Sequence, residues 1–294
     1  MQTHSLEANG LTFVADIAGD SDTVALLLHG FPESRASWRH QIEALPALGW
    51  KVAAPDLRGY GDSARPRGVD AYRIRHLVED VAALFEALGA KRRILIGHDW
   101  GGVIAWQAAL RAMPLDGLVI LNAPHPTVFQ EALRTWDQRR RSWYVLFFLL
   151  PALPELMLTR RNGDGLVSAL ARQTTNFPPD LLDIYRRNVL APGAASAMLN
   201  YYRANALDLP APGRGENPIA TPTLMIWGED DVALGPALTT GNEEFVANFT
   251  LRRLPGVSHW VQQDAPSLTN AIISDWAHRQ GLAAPDRPSD GGGS

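Results

Sequence analysis

The sequence predicts an α/β protein: a mostly parallel sheet flanked by helices, carrying one inserted all-helical segment. Three observations carry this. Short apolar runs alternate with stretches of helical spacing through residues 24–122, the pattern of a parallel sheet with helices on both faces. Residues 126–216 hold no convincing strand, only helical stretches separated by Pro and Gly. The strand rhythm then resumes at residues 222–227 and 249–254, and a helical stretch at 266–280 closes the core.

Taken in order, residues 11–17 alternate apolar and polar and read as an edge-type strand. Residues 24–28 form a continuous apolar strand, and residues 37–48 have helical spacing ending at Gly49, a C-cap glycine. A third strand follows at 51–55, then a helix over 74–88 that ends at Gly89, a buried strand at 94–96, a helix from 103 and a strand at 117–122. In the insertion, helices are expected at 133–136, 143–150, 181–189 and 195–206. The reading is thus a core of residues 1–125 and 217–281 and a helical cap of residues 126–216. An insertion on the C-terminal edge of the sheet lies over the ligand crevice. Residues 282–294 show no apolar periodicity and are expected to be disordered.

At 294 residues and 46% hydrophobic content, the chain can bury one large core, or a core with a modest insertion. A net charge of −4 gives no electrostatic case for nucleic acid or an anionic membrane. The absence of cysteine excludes disulfides and thiolate metal sites. The longest apolar run, 143–150, is stopped by Pro151 and is less than half of the ~20 residues a membrane span needs. Residues 1–7 lack a basic region followed by an apolar run, so no secretory signal is expected. The expectation is a cytoplasmic protein, monomer or homodimer, without metal or organic cofactor.

The chemistry centres on Ile94-Leu95-Ile96-Gly97-His98-Asp99-Trp100-Gly101-Gly102. An apolar strand reverses into a helix within four residues, with Gly97 and Gly101 relieving the backbone crowding and Asp99 at the apex. This is a nucleophile elbow with a carboxylate in place of serine. Carboxylate attack on an ester gives an unproductive anhydride, whereas attack on a saturated carbon displaces alkoxide or halide and leaves an ordinary ester. The bland alternative makes Asp99 a helix N-cap. An ester intermediate needs a base with an orienting acid, and Glu229-Asp230-Asp231 and His259 follow late strands in the order nucleophile, acid, histidine. Taken singly, His259 could be one of 8 mostly structural histidines, and Asp231 a turn residue. Backbone N–H groups of Trp100 and of Phe31, in His29-Gly30-Phe31-Pro32, are placed to hold an oxyanion. The tight turn there, together with the resemblance given below, predicts a cis Phe31–Pro32 bond, a geometry found in roughly 5–6% of X–Pro bonds.

His29-Gly30-Phe31-Pro32-Glu33, Asp56-Leu57-Arg58-Gly59-Tyr60-Gly61-Asp62-Ser63 and Gly97-His98-Asp99-Trp100-Gly101-Gly102 resemble the α/β-hydrolase-fold epoxide hydrolases. With Trp227-Gly228-Glu229-x-Asp231 and Gly256-x-x-His259-Trp260, the resemblance covers nearly the whole chain except the tail. It implies the α/β-hydrolase fold with a cap, and selects Asp231 over Asp230 as the acid. It also implies two cap tyrosines that hydrogen-bond an epoxide oxygen, matched by Tyr144 and by Tyr202, with Tyr201 as the adjacent alternative. His29, Phe31, Pro32 and Trp100 are the implied oxyanion and substrate-binding residues, and a small-molecule epoxide the implied partner. The nearest rival is a haloalkane or haloacid dehalogenase, since the Trp100 indole could bind halide; those enzymes usually carry Asn where Phe31 stands. The fluoroacetate-cleaving type has Arg in place of Trp100. A non-catalytic binding protein would show a degraded catalytic set. A serine esterase is weakest, because Ser63 and Ser258 are not at the elbow.

Overall fold

A computed structural model describes residues 1–284, apart from 172, 175, 207–208, 210 and 212–217. The eight strands, β1 Gln2–Ala8, β2 Leu11–Ala18, β3 Thr23–Leu28, β4 Lys51–Pro55, β5 Arg92–His98, β6 Gly117–Leu121, β7 Thr223–Gly228 and β8 Phe249–Leu254, form one sheet in the order β1-β2-β4-β3-β5-β6-β7-β8. Strands β1 and β2 run antiparallel, and every pairing from β4 through β8 is parallel. This is the α/β-hydrolase fold.

The helices before the insertion are α1 Arg39–Ala44, α2 Ile74–Ala87 and α3 Trp100–Leu110. Alternate residues of the central strands face opposite helical layers, as period-2 geometry requires. Ile94 and Ile96 pack with Trp38, Trp50 and Trp276 on one face. Leu95 joins Leu84, Ile104 and Trp106 on the other. The stretch expected as one helix over 37–48 is α1 flanked by 3₁₀ turns at Arg35–Trp38 and Leu45–Leu48. Pro46 lies in the second, and Gly49 ends it at φ 78°.

Strand β1 was not expected. It is paired to β2 through Asn9-Gly10, both at positive φ (50° and 70°), with Ala8 opposite Leu11, the two-residue hairpin that Asn-Gly favours.

Between β6 and β7 lie α4 Pro126–Ala132, α5 Trp136–Arg141, α6 Trp143–Phe148, α7 Leu153–Ala171, α8 Pro179–Leu190 and α9 Ala194–Asn205. Residues 133–135, expected as helix, form the turn between α4 and α5 instead. Thr135 stops helix propagation there, its hydroxyl accepting from the Gln138 N–H as an N-cap. Helix α7 was also missed. Pro154 falls in its first turn, where a missing N–H costs nothing, and the helix is kinked at Arg160–Gly163. The inner faces of the insertion, through Phe148, Leu166, Tyr185 and Tyr201, share one apolar cluster with the sheet. After it, Ile219 bridges Val246; the expected boundary at 216–217 lies outside the described residues.

The final helices are α10 Val261–Asp264 and α11 Pro266–Arg279. The first residues assigned to a disordered tail are in fact docked. Leu282 is buried, its carbonyl accepts from the Trp50 indole at 2.8 Å, and the Ala284 N–H donates to the Leu48 carbonyl at 2.8 Å. The rest of that tail, 285–294, lies outside the described residues. Among the described residues, no helix is long and apolar enough to cross a membrane.

Candidate active site

Asp99 follows β5 directly and opens α3 with φ 50° and ψ −118°, a conformation L-residues adopt at a cost of about 1–3 kcal/mol. Its neighbours make the reversal sterically feasible. A Cβ on Gly97 would sit 2.3 Å from the Gly101 carbonyl oxygen, and one on Gly101 would sit 2.0 Å from that of Leu28. A Cβ on Gly30 would collide with Asp99 itself, at 2.4 Å from its Cβ. Asp99 makes no side-chain cap to α3, which removes the N-cap reading. Its Oδ1 instead accepts the Phe31 N–H at 2.8 Å across the sheet, from a loop whose Phe31–Pro32 bond is cis, as expected.

His259 follows β8, with Nε2 3.6 Å from Asp99 Oδ2 and Nδ1 2.5 Å from Asp231 Oδ2. Of the two candidate aspartates, Asp230 is exposed and Asp231 is buried. Asp231 Oδ1 accepts the Ala233 and Leu234 N–H groups, both at 2.8 Å, so the carboxylate is locked before the imidazole meets it. Burial opposes charge on His259, but the carboxylates of Asp231 and Asp99 outweigh it and hold the imidazole well above its ordinary pKa. Burial likewise opposes ionisation of Asp99. Hydrogen bonding and charge from His259, the charge of His98 and the Phe31 N–H more than offset it, leaving Asp99 below the ordinary carboxylate value.

Two buried groups belong to this arrangement that sequence reasoning did not single out. Asn122 closes β6 at φ 42°. Its Oδ1 accepts the Gly228 N–H at 2.9 Å, while its Nδ2 donates to the Gly228 carbonyl at 3.2 Å and to Asp231 Oδ2 at 2.9 Å. The available signal was a polar residue ending an apolar strand level with the elbow. The second is Glu33 with His98. The His98 ring spans Glu33 Oε2 at 2.8 Å and the His259 carbonyl at 3.0 Å, fixing the backbone of the histidine loop.

Two cavities, of about 640 and 610 Å³, meet at Asp99, and Tyr144 and Tyr202 line both. Trp100 and Asn122 line the first; Phe31, Pro32 and His259 line the second. Tyr144 comes from α6 and Tyr202 from α9, with ring centroids 6.2 Å apart and the Tyr202 ring against Phe31, Trp100 and Phe148 at 5.0–5.4 Å. Burial, then the charge of Asp99, pushes both phenols above their ordinary pKa. Both are therefore neutral donors. Tyr201 faces elsewhere: its hydroxyl donates to the Arg58 carbonyl at 2.9 Å.

His29 requires a correction, because it lines neither cavity. The ring is fully buried, with Nδ1 2.9 Å from the Gly30 carbonyl and Nε2 accepting the Leu57 N–H at 3.1 Å. It ties two loops together; burial lowers its pKa and keeps it neutral.

Residues 24–266 match a family described as α/β hydrolase fold. The chain is 36% identical to the AB hydrolase superfamily protein YfhM of Bacillus subtilis, over 94% of this chain and 97% of that one. It is 35% identical to epoxide hydrolase 3 of Xenopus tropicalis, over 92% of this chain and 76% of that one. A crystal structure of Bacillus megaterium epoxide hydrolase in complex with an inhibitor superposes with a TM-score of 0.85 at 31% identity, covering 94% of this chain and all of that one.

Proposed function

The chain belongs to the α/β-hydrolase-fold epoxide hydrolase family, and from that premise we propose that it converts an epoxide and water to a vicinal diol through an ester on Asp99. The observation that carries this reading is the junction of the two cavities, where a carboxylate and two neutral phenols converge on one space. A carboxylate opens the ring, and phenols serve the oxygen that leaves.

In the first step Asp99 Oδ2 attacks one epoxide carbon. That C–O bond breaks as the ester bond forms, and the departing oxygen takes hydrogen bonds and then a proton from Tyr144 or Tyr202. An alkoxide is a poor leaving group, so the donors must already be present at the barrier. In the second step His259 removes a proton from water, and the oxygen adds to the Asp99 carboxyl carbon. The oxyanion forms on Oδ1, where the Phe31 N–H already sits at 2.8 Å and the Trp100 N–H is the expected second donor. Collapse breaks the Cγ–Oδ2 bond and releases the diol as His259 returns its proton to the leaving oxygen. The proton left on the re-formed Asp99 carboxyl passes back, by way of His259, to the phenolate of the first step, which restores both groups.

The high pKa of His259 is reconciled with its role as base by the ester itself. Asp231 first, and then the charged Asp99, hold His259 protonated; esterification removes the Asp99 charge, which lowers the imidazole pKa and eases loss of its proton. The halide reading is weaker, because halide departure needs no proton and leaves the two cavity phenols of Tyr144 and Tyr202 without a role.

The test is trapping. In His259→Gln, hydrolysis should stop while alkylation proceeds, and the Asp99 peptide should gain the mass of one intact epoxide. An unmodified peptide from a variant that binds substrate would mean that water attacks the epoxide directly.

A further inference from the structure

The outer face of the helical insertion is apolar where solvent should favour polar side chains. Trp136 is 79% exposed, Trp143 61%, Leu146 67%, Leu150 45%, Leu153 51% and Leu156 64%. Single exposed apolar residues are ordinary, but a run of six along consecutive elements marks a surface that meets something. The spacing is regular: Trp136, Trp143, Leu146 and Leu150 recur at intervals of seven, three and four through α5, α6 and the bend that follows. Leu153 and Leu156 continue it three apart in α7.

Arg139 and Arg140, both exposed, occupy the same stripe between the two tryptophans. Asp137 is committed mainly to Arg141, at 2.9 Å, and lies 3.9 Å from Arg140. The stripe also separates the two cavities, for Leu146 lines the first and Trp143 the second.

We infer that this face seats the protein on an anionic lipid surface, with the tryptophans and leucines in the headgroup boundary and Arg139 and Arg140 against lipid phosphates. Indole rings favour that boundary because one end is apolar and the other polar. The net charge of −4 does not oppose it, because a surface attracts the charges nearest to it, and those are the two arginines. A second copy is the poorer occupant, because a two-fold interface on this face would bury Arg139 and Arg140 within an apolar contact, where desolvation costs more than their pairing returns. Seated on lipid, the mouths of both cavities open onto the phase in which an apolar substrate dissolves.

The test is flotation of the full chain with vesicles of phosphatidylcholine alone and of phosphatidylcholine mixed with phosphatidylglycerol, with the mass in solution measured in parallel. Binding should be roughly 30-fold tighter on the anionic vesicles, the preference expected from two arginines, and should weaken with salt. Arg139→Gln/Arg140→Gln should remove that preference. Trp136→Ser/Leu153→Ser/Leu156→Ser, which alters no cavity-lining residue and should keep its far-ultraviolet circular dichroism, should abolish flotation. Absence of flotation with either vesicle overturns the inference. So does a mass twice the 32.1 kDa of the chain that the triple variant returns to one copy, since the face would then belong to a second copy.

Discussion

The strand-end half of the site and the helical half hold their reactive groups by different means. Asp99, Asp231 and His259 stand on loops after β5, β7 and β8, each fixed by polar contacts: Asp99 by the Phe31 N–H, Asp231 by two turn N–H groups and the Asn122 amide, and His259 by Asp231. Tyr144 and Tyr202 stand on α6 and α9 and are set mainly by rings packed edge-on, among them Phe31, Trp100 and Phe148. Polar contacts define direction to within a hydrogen-bond angle, which acid–base chemistry on a carboxyl carbon requires. Ring packing defines shape and leaves the hydroxyls free to turn towards a substrate oxygen. The comparison teaches that damage to the two halves should appear in different steps.

The largest effect should come from the tyrosines together. Tyr144→Phe or Tyr202→Phe alone should slow alkylation by roughly 10–1000-fold, by analogy with loss of one oxyanion donor. The double variant should be nearly inactive towards epoxides yet fold normally, because only two hydroxyls are lost. Pre-steady-state alkylation of the four proteins measures this. A double variant that opens epoxides at the wild-type rate would break the division, leaving the tyrosines structural.

The pH dependence of the second step sharpens the other half. Hydrolysis of the ester should rise about tenfold per pH unit until His259 is deprotonated in the ester, then level off. That apparent pKa should lie below the one His259 shows by NMR in the free protein, since the charge of Asp99 is gone from the ester. Equal values would mean that Asp99 does not govern His259.

Asn122→Ala should act on stability and on hydrolysis but little on alkylation. It leaves the Gly228 N–H and one face of Asp231 unpaired and puts alanine at φ 42°, a loss of about 1–3 kcal/mol in chemical denaturation. Single-turnover rates should show the ester accumulating; a slowed first step would place Asn122 among the groups that touch the epoxide. The smallest change is expected from Tyr201→Phe, which removes a hydrogen bond to the Arg58 carbonyl worth about 1 kcal/mol. Its alkylation rate should stay near wild type, and a collapse there would exchange the roles of Tyr201 and Tyr202.

Most of the core was legible because its signals are local. An apolar run stopped by Gly97, or by His29-Gly30, is visible in the chain whatever packs around it, and a parallel strand buried on both faces cannot be written otherwise. Strand β1 escaped because, apart from Leu6 and Ala8, its residues are polar, although Asn9-Gly10 marked the hairpin. Helix α7 escaped because Pro154 and Gly163 read as breaks, while the fold uses one in a first turn and the other in a kink.

The sequence alone determined the elbow, the order of nucleophile, acid and histidine, and the place of the inserted helices, since each depends on residue type at close spacing. The resemblance already selects Asp231 over Asp230 and favours Tyr202 over Tyr201; the tertiary structure supplies the reason, since Asp231 meets His259 and Tyr202 the cavities, and it alone decided that His29 turns into the core. Adjacent residues on a turn or a helix differ in direction, and their direction is set by neighbours distant in the chain. Asn122 was decided the same way: its role is a set of hydrogen bonds to Gly228 and Asp231, more than a hundred residues away, which come together only when β6 lies beside β7.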